Sequence, residues 1–207
     1  MATNTKAQRE ANELIFEVIL LIIFVPFLLF SFMRFSLLKD QYLKSESAVR
    51  IVDIKVLKKT LMACALYILM SGFSLSIAFD NSKVLGFLLF ILLLSVGILL
   101  GMRLSIVYLG PVIDDKKNII AFPPDFQSFT ITDYFSTKIL EAFYNTDEVN
   151  LSDIFKMTRQ AGVNLFIHGS FGSRQIAFSS KQKRDECIAT IQATNNYNGE
   201  MISELEC

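Results

Sequence analysis

The sequence predicts a membrane α-helical region of three transmembrane helices followed by an α+β domain, and three observations predict it. Apolar residues make up 52% of the chain against 19% charged. They crowd into long blocks with almost no charge, which the core of a water-soluble protein does not require. Past Gly110 the blocks give way to short alternating runs punctuated by turn residues.

The spans follow from length, since a helix needs about 20 apolar residues to cross roughly 30 Å of hydrocarbon. Residues 14–33 carry only Glu17, near one end, and residues 60–79 and 84–102 carry no charge. Buried helices of a soluble protein normally show a polar stripe, which these segments lack. The expected organisation is an N-terminal tail 1–13, a transmembrane region 14–109 with a basic loop 34–59, a domain 110–195 and a polar tail 196–207.

Orientation comes from lysines and arginines. Arg34, Lys39, Lys44, Arg50, Lys55, Lys58 and Lys59 lie between the first two spans, whereas only Asp80-Asn81-Ser82-Lys83 joins the second to the third. The positive-inside rule predicts a multi-pass protein with its N-terminus outside and its C-terminal domain cytoplasmic. Pro26, mid-span, leaves a re-entrant first segment as the alternative. Large residues, Phe32, Met33, Arg34 and Phe35, follow the first block, so no signal-peptide cleavage is expected there. Met-Ala-Thr lacks a myristoylation glycine and Cys207 is not in a prenylation box, so the spans are expected to be the anchor.

The short second connection predicts an antiparallel hairpin. Gly97, Gly101 and Ser105 repeat at four-residue spacing and are candidate helix-packing positions, with Ala63, Ser71, Gly72, Ser74 and Ser76 as counterparts on the second span. Packing within the hairpin is the expectation, and a homo-oligomer seam the alternative. No span has a central ionisable residue of the kind that marks transport routes, and Glu17 reads as a solvated boundary residue.

Between the first two spans, residues 45–59 carry Val49, Val52 and Val56 among Arg50, Asp53, Lys55, Lys58 and Lys59. This spacing predicts a helix, either lying on the membrane surface or extending the second span. In the domain, 112–113 and 118–122 around Asp114-Asp115-Lys116-Lys117 read as a hairpin, ended by Pro123-Pro124. Thr132 is expected to cap a helix through Phe135, Ile139, Ala142 and Phe143, packed on the sheet. Strands are expected at 154–159, 163–168 and 174–178, broken at Gln160-Ala161-Gly162 and at 169–172. Ser179 and Gln182 suggest a capping box for a last helix to about Asn195, with Cys187, Ile188 and Ile191 on one face. The remaining tail is expected to fray.

Leu151-Ser152-Asp153-Ile154, Val163-Asn164-Leu165-Phe166-Ile167, Gly172-Ser173-Arg174-Gln175-Ile176-Ala177-Phe178 and the final helix resemble the later half of bacterial pleckstrin-homology-like (PH-like) membrane proteins. The resemblance covers about Gly110 to Asn195 and implies an antiparallel sheet or barrel closed by a C-terminal helix. The helical segment after Pro124 departs from that pattern. Phosphoinositide-binding members use basic residues in the first hairpin loop. Here Asp114 and Asp115 offset Lys116 and Lys117, so lipid specificity does not carry over.

The chemistry-bearing residues are sparse. Zero net charge argues against nucleic acid. Cys64, Cys187 and Cys207 have no metal-site spacing, and no metal or cofactor is expected. His168, the single histidine, reads as a surface residue. Residues 169–173 lack the lysine and following helix of a phosphate loop and read as a hairpin turn. Asp114-Asp115 and Asp147-Glu148 read as turn acids. Arg50, Lys55, Lys58, Lys59, Lys181, Lys183 and Arg184 are candidate lipid or partner contacts. The last three oppose the helix dipole, so headgroups, a partner or a neighbouring carboxylate should face them.

The expected function is a non-catalytic inner-membrane protein whose spans tether a PH-like docking module for a protein partner, with the lipid bilayer as its other partner. One alternative is a small subunit or regulator of a transport, secretion or conjugation and exclusion complex. The other is a membrane-bound enzyme, which would need Asp153, Arg159, His168 and Arg174 to converge in a cleft.

Overall fold

The computed structural model describes residues 2–126, 130–134, 136–159, 162–195, 197 and 199–203. The first half of the chain forms three long helices, α1 (Ala2–Tyr42), α2 (Ile54–Asn81) and α3 (Lys83–Leu109). All three are long and apolar enough to cross a membrane. Their outward side chains, such as Phe32, Leu66 and Leu92, are exposed on the bundle surface. Ser82 makes the tight turn of the expected hairpin: its N–H donates to the Ala78 carbonyl at 2.9 Å, and its hydroxyl accepts from the Leu85 N–H at 3.5 Å.

α1 is one helix through Pro26, so the chain does not re-enter there. It also begins at Ala2, taking in the segment expected as a tail. At 41 residues and 1.5 Å per residue it is about 60 Å long, twice the roughly 30 Å of hydrocarbon. Its surplus has a use, because Phe35, Leu38 and Tyr42 recur at helical spacing and pack against the domain.

Among the described residues the domain has two four-stranded sheets. The first joins β1 (Ala48–Arg50), β2 (Val112–Asp114), β3 (Ile119–Phe122) and β4 (Asp147–Asn150) in that order, all antiparallel. The second, in the order β7-β6-β5-β8, joins β5 (Ile154–Arg159), β6 (Asn164–Gly169), β7 (Gly172–Ala177) and β8 (Glu200–Ser203), with β8 parallel to β5. Two short helices, α4 (Ile131–Tyr134) and α5 (Thr137–Tyr144), connect β3 to β4, and α6 (Lys181–Gln192) follows β7. The strands do not close into a barrel, because β4 and β7 remain edges.

The layers follow from period-two alternation in β2 and β3. Ile113, Ile120 and Phe122 face the second sheet, meeting Met157, Leu165, Ile167 and Ile176 in a core plugged by Cys187, Ile188 and Ile191 of α6. Val112 and Ala121 face the opposite way, onto Leu38, Tyr42, Ile106 and Leu109 at the ends of α1 and α3. Both faces of the first sheet are therefore covered, and β2 and β3 read as apolar runs for that reason.

Several expectations are corrected. Residues 45–59 are not one helix: Ala48–Arg50 pairs with β2, and α2 starts only at Ile54, so Lys55, Lys58 and Lys59 lie on an extension of the second span. The helix expected from Thr132 is broken in two, with Ser136 capping α5 through the Lys138 N–H at 3.2 Å. α5 packs chiefly on α3 rather than on the sheet. Phe135 lies outside the described residues, as do Gln160 and Ala161. Ser180, not Ser179, caps α6, accepting from the Lys183 N–H at 3.3 Å, and the helix stops at Gln192. Asp147-Glu148 belongs to β4, and residues 200–203 of the expected frayed tail form β8.

Gly110 makes the exit from α3 possible. Its φ of 68° favours glycine, and a Cβ there would lie 2.4 Å from the Ile51 carbonyl oxygen. The chain then turns so that Pro111 accepts from the Ile51 N–H at 2.8 Å. The domain is thus assembled from two stretches of chain. A fragment beginning at Gly110 lacks β1 and Ile51 and bares the helix-facing side of the first sheet. It is expected to show no cooperative thermal transition, whereas the full chain in detergent unfolds cooperatively. A sharp melt of that fragment in plain buffer would contradict this assembly.

The small-residue row of α3 splits between two neighbours. A Cβ on Gly97 would meet the Tyr67 ring of α2 at 3.5 Å, an ordinary contact. A Cβ on Gly101 would lie 2.7 Å from Ser31 Oγ and 3.2 Å from the Phe27 carbonyl of α1. Ser105 Oγ donates toward the Ser31 carbonyl at 2.7 Å and the Gly101 carbonyl at 2.9 Å. Packing within the hairpin therefore holds for Gly97, while Gly101 and Ser105 seat α1. Gly101→Val should cost about 1–3 kcal/mol by overpacking and Gly97→Ala much less, read as melting temperatures of the purified protein in detergent.

Candidate functional site

The basic residues named from sequence divide by location. Arg50 does not face outward: its Nε donates to the Leu109 carbonyl at 2.8 Å, its Nη2 to the Tyr108 carbonyl, and its guanidinium lies 4.8 Å from the Tyr108 ring centre. It satisfies carbonyls left open at the end of α3, where a cation also suits the helix dipole. Arg184 is buried, donating to the Gly162 carbonyl at 2.7 Å and to Asp185 at 3.0 Å. Lys183 pairs with Glu186 at 2.7 Å. Lys55, Lys58, Lys59 and Lys181 remain exposed.

Asp53 joins these regions. Its carboxylate caps α2 through the Lys55 and Val56 N–H groups at 3.1 and 3.3 Å, and it accepts from the N–H and hydroxyl of Ser179, both at 2.6 Å. Burial pushes the carboxyl up, but the bonds from Ser179, Val56 and Lys55 outweigh it and hold Asp53 below its ordinary range. The starts of α2 and α6 meet here, so Lys55 and Lys181 each lie two residues from the contact. An aspartate directly before a helix is a readable capping signal. Its second partner, 126 residues away, is not.

A concavity of about 610 Å³ opens where β4 and β7 fail to meet. Its walls come from the chain after β3 (Asp125), α4 (Asp133), α5 (Lys138, Glu141), the entry to β4 (Thr146, Asp147) and β6–β7 (Phe166, Ser173, Arg174, Gln175). The ionisable wall groups are four carboxylates against Lys138 and Arg174, so the cleft is net acidic. Lys138 holds Asp133 at 2.8 Å. That hydrogen bond, then those from Thr130, pull the Asp133 carboxyl down to about 2. Asp147 differs: burial raises its pKa, against the attraction of Arg174 and Arg103. No motif announced this cleft, because its walls come from helix, strand and turn segments far apart in sequence.

The four residues that an enzyme reading would bring together do not converge. Arg174 lines the cleft, but Asp153 accepts from Asn150 at 2.9 Å and Arg159 lies 3.5 Å from Asp185. His168 spans two strands, with Nε2 2.9 Å from Thr158 Oγ1 and Nδ1 2.7 Å from Ser173 Oγ. A serine beside a histidine is the geometry of a nucleophile and its base, yet a hydroxyl stands where an orienting carboxylate would be needed. Among the described residues no cluster of three or more His, Cys, Asp or Glu is placed to hold a metal. Cys64 and Cys187 are buried free thiols, and burial, then Glu186, pushes Cys187 up to about 12, far from a reactive thiolate.

Asp147 gives the cleft a pH signature. An acid whose pKa is raised on folding favours the folded state below its unfolded pKa of about 3.9, and that advantage is lost as pH rises through the higher folded value. Asp147→Asn, a neutral mimic of the protonated form, should therefore raise the melting temperature at neutral pH and leave it unchanged below about pH 4. Thermal unfolding across that range checks this, and a variant less stable at neutral pH would show the ion pairs outweigh burial. Comparison of the chain with protein-family models, with curated proteins and with solved structures finds no match.

Proposed function

We propose that the chain is a non-catalytic bacterial inner-membrane protein, its domain cytoplasmic, whose spans hold a docking module for a protein partner. The observation that carries this reading is the net-acidic cleft between two edge strands, β4 and β7. Edge strands offer backbone donors and acceptors to an incoming extended segment, and the acidic wall favours one bearing lysine or arginine. The domain's seating on α1 and α3 supports it further, since a rigid mount holds the cleft at one height above the bilayer. The lysines between α1 and α2 support the cytoplasmic orientation.

A PH-like relationship is part of the proposal. Two sheets plugged by a C-terminal helix support it, while a first strand supplied from between two spans departs from it. The reading as a small subunit of a larger membrane complex is favoured by the apolar flanks that α1–α3 leave uncovered, as at Phe32, Leu66 and Leu92.

Photo-crosslinking in cells tests the cleft. A crosslinking residue at Gln175 should trap one discrete protein adduct, lost on Glu141→Lys, while the same group at Lys59 traps none. Adducts confined to Leu92 would support the subunit reading instead. Labelling of Ser173 by a serine-directed phosphonate would overturn the non-catalytic assignment.

A further inference from the structure

We propose that the outer face of α4 and α5 lies in the headgroup layer of the bilayer, as a lipid-contacting ledge beside the spans. This rests on the reading that α1–α3 cross a membrane. The depth of α5 is set by two arginines. On α3 the uncharged run 84–102 ends at Arg103, and on α1 the run 18–33 ends at Arg34, so each is the first charge beyond an apolar stretch.

Both arginines donate to the same short element. Arg103 reaches the Ala142 carbonyl at 3.1 Å and the Pro124 carbonyl at 2.6 Å, and Arg34 reaches the Tyr144 carbonyl. Ala142 and Tyr144 belong to the last turn of α5, whose carbonyls have no partner within the helix. The end of α5 is thereby fixed at the level where both long helices leave the hydrocarbon.

At that level α4 and α5 expose large apolar side chains beside Thr137 and Glu141. Leu140 and Tyr144, four apart and so on one face, are 47% and 38% exposed, and Ile131 of α4 is 80% exposed. The inner side is already occupied, because Ala142 is buried and the Phe143 ring lies 5.3 Å from that of Phe126. An exposed leucine and tyrosine on one face, held at this level among short polar side chains, match an interfacial helix better than a surface facing water. Lipid is the occupant because Arg34 and Arg103, each the first charge beyond an apolar run, hold α5 at the edge of the hydrocarbon.

The chain contains no tryptophan, so a single introduced one is an unambiguous reporter. Full-length Ile131→Trp, Leu140→Trp, Leu92→Trp and Phe155→Trp would each be reconstituted in vesicles of phosphatidylcholine and phosphatidylglycerol. Some vesicles carry bromine near the glycerol end of the acyl chains and others near the methyl end. Trp at 131 and 140 should emit at shorter wavelength than at 155 and lose intensity chiefly to the shallow bromine, while Trp at 92 loses it chiefly to the deep bromine. Quenching at 92 with water-like emission and no quenching at both 131 and 140 would overturn the ledge alone. Short-wavelength emission at 131 and 140 without bromine quenching would also overturn it, since protein would then cover the face. Absence of quenching at 92 would overturn both the ledge and the membrane reading.

Discussion

The pairing of β1 with β2 is the constraint from which the rest of the structure follows. It joins the segment between α1 and α2 to the segment after α3, so that three helix ends and one sheet share a single packing problem. The first sheet is covered on one side by Leu38, Ile106 and Leu109 and on the other by the second sheet and α6. A large apolar side chain fully buried contributes roughly 1.5–3 kcal/mol, so lifting the domain off the helices would forfeit several such contributions at once. The domain therefore cannot behave as a bead on a flexible tether.

Polar groups complete this junction where apolar packing would leave helix ends unsatisfied. Arg50 closes the carbonyl end of α3, Asp53 closes the amide end of α2, and Arg34 and Arg103 close the carbonyl end of α5. Asp114 does the same for the chain around it, accepting from the Ser45 and Ser47 hydroxyls and the Lys116 and Lys117 N–H groups. The Tyr42 hydroxyl, at the end of α1, donates to Glu148 of β4. The arginines that flank the apolar runs thus position the domain by their hydrogen bonds.

How much was legible from sequence depended on the range of the interactions. The apolar helices, the β2–β3 hairpin, β5–β7 and the buried face of α6 were readable, because composition, periodicity and turn residues are local signals. β1 was not, since three residues carry no periodicity and Arg50 among lysines read as one more exposed cation. β4 begins with two acids that look like a turn, and what makes it a strand is its register against 119–122. Ser179 seemed a helix cap because nothing nearby reveals Asp53 as its partner. The cleft was invisible for the same reason, being made of neighbours that only the folded chain brings together.

The detour between β3 and β4 accounts for the cleft and the proposed ledge together. Had the chain turned directly from β3 into β4, a simple hairpin would leave no wall beyond the sheet edge. Instead the chain leaves the sheet through α4, docks α5 on α3 and returns at Asn145, so the corner between β4 and β7 stays open. The eight residues of α5 then present three faces: Lys138, Glu141 and Ala142 to the cleft, Phe143 toward Phe126, and Leu140 and Tyr144 outward. The proposed docking cleft and the proposed ledge thus share one element, whose end is held by two arginines on two different long helices.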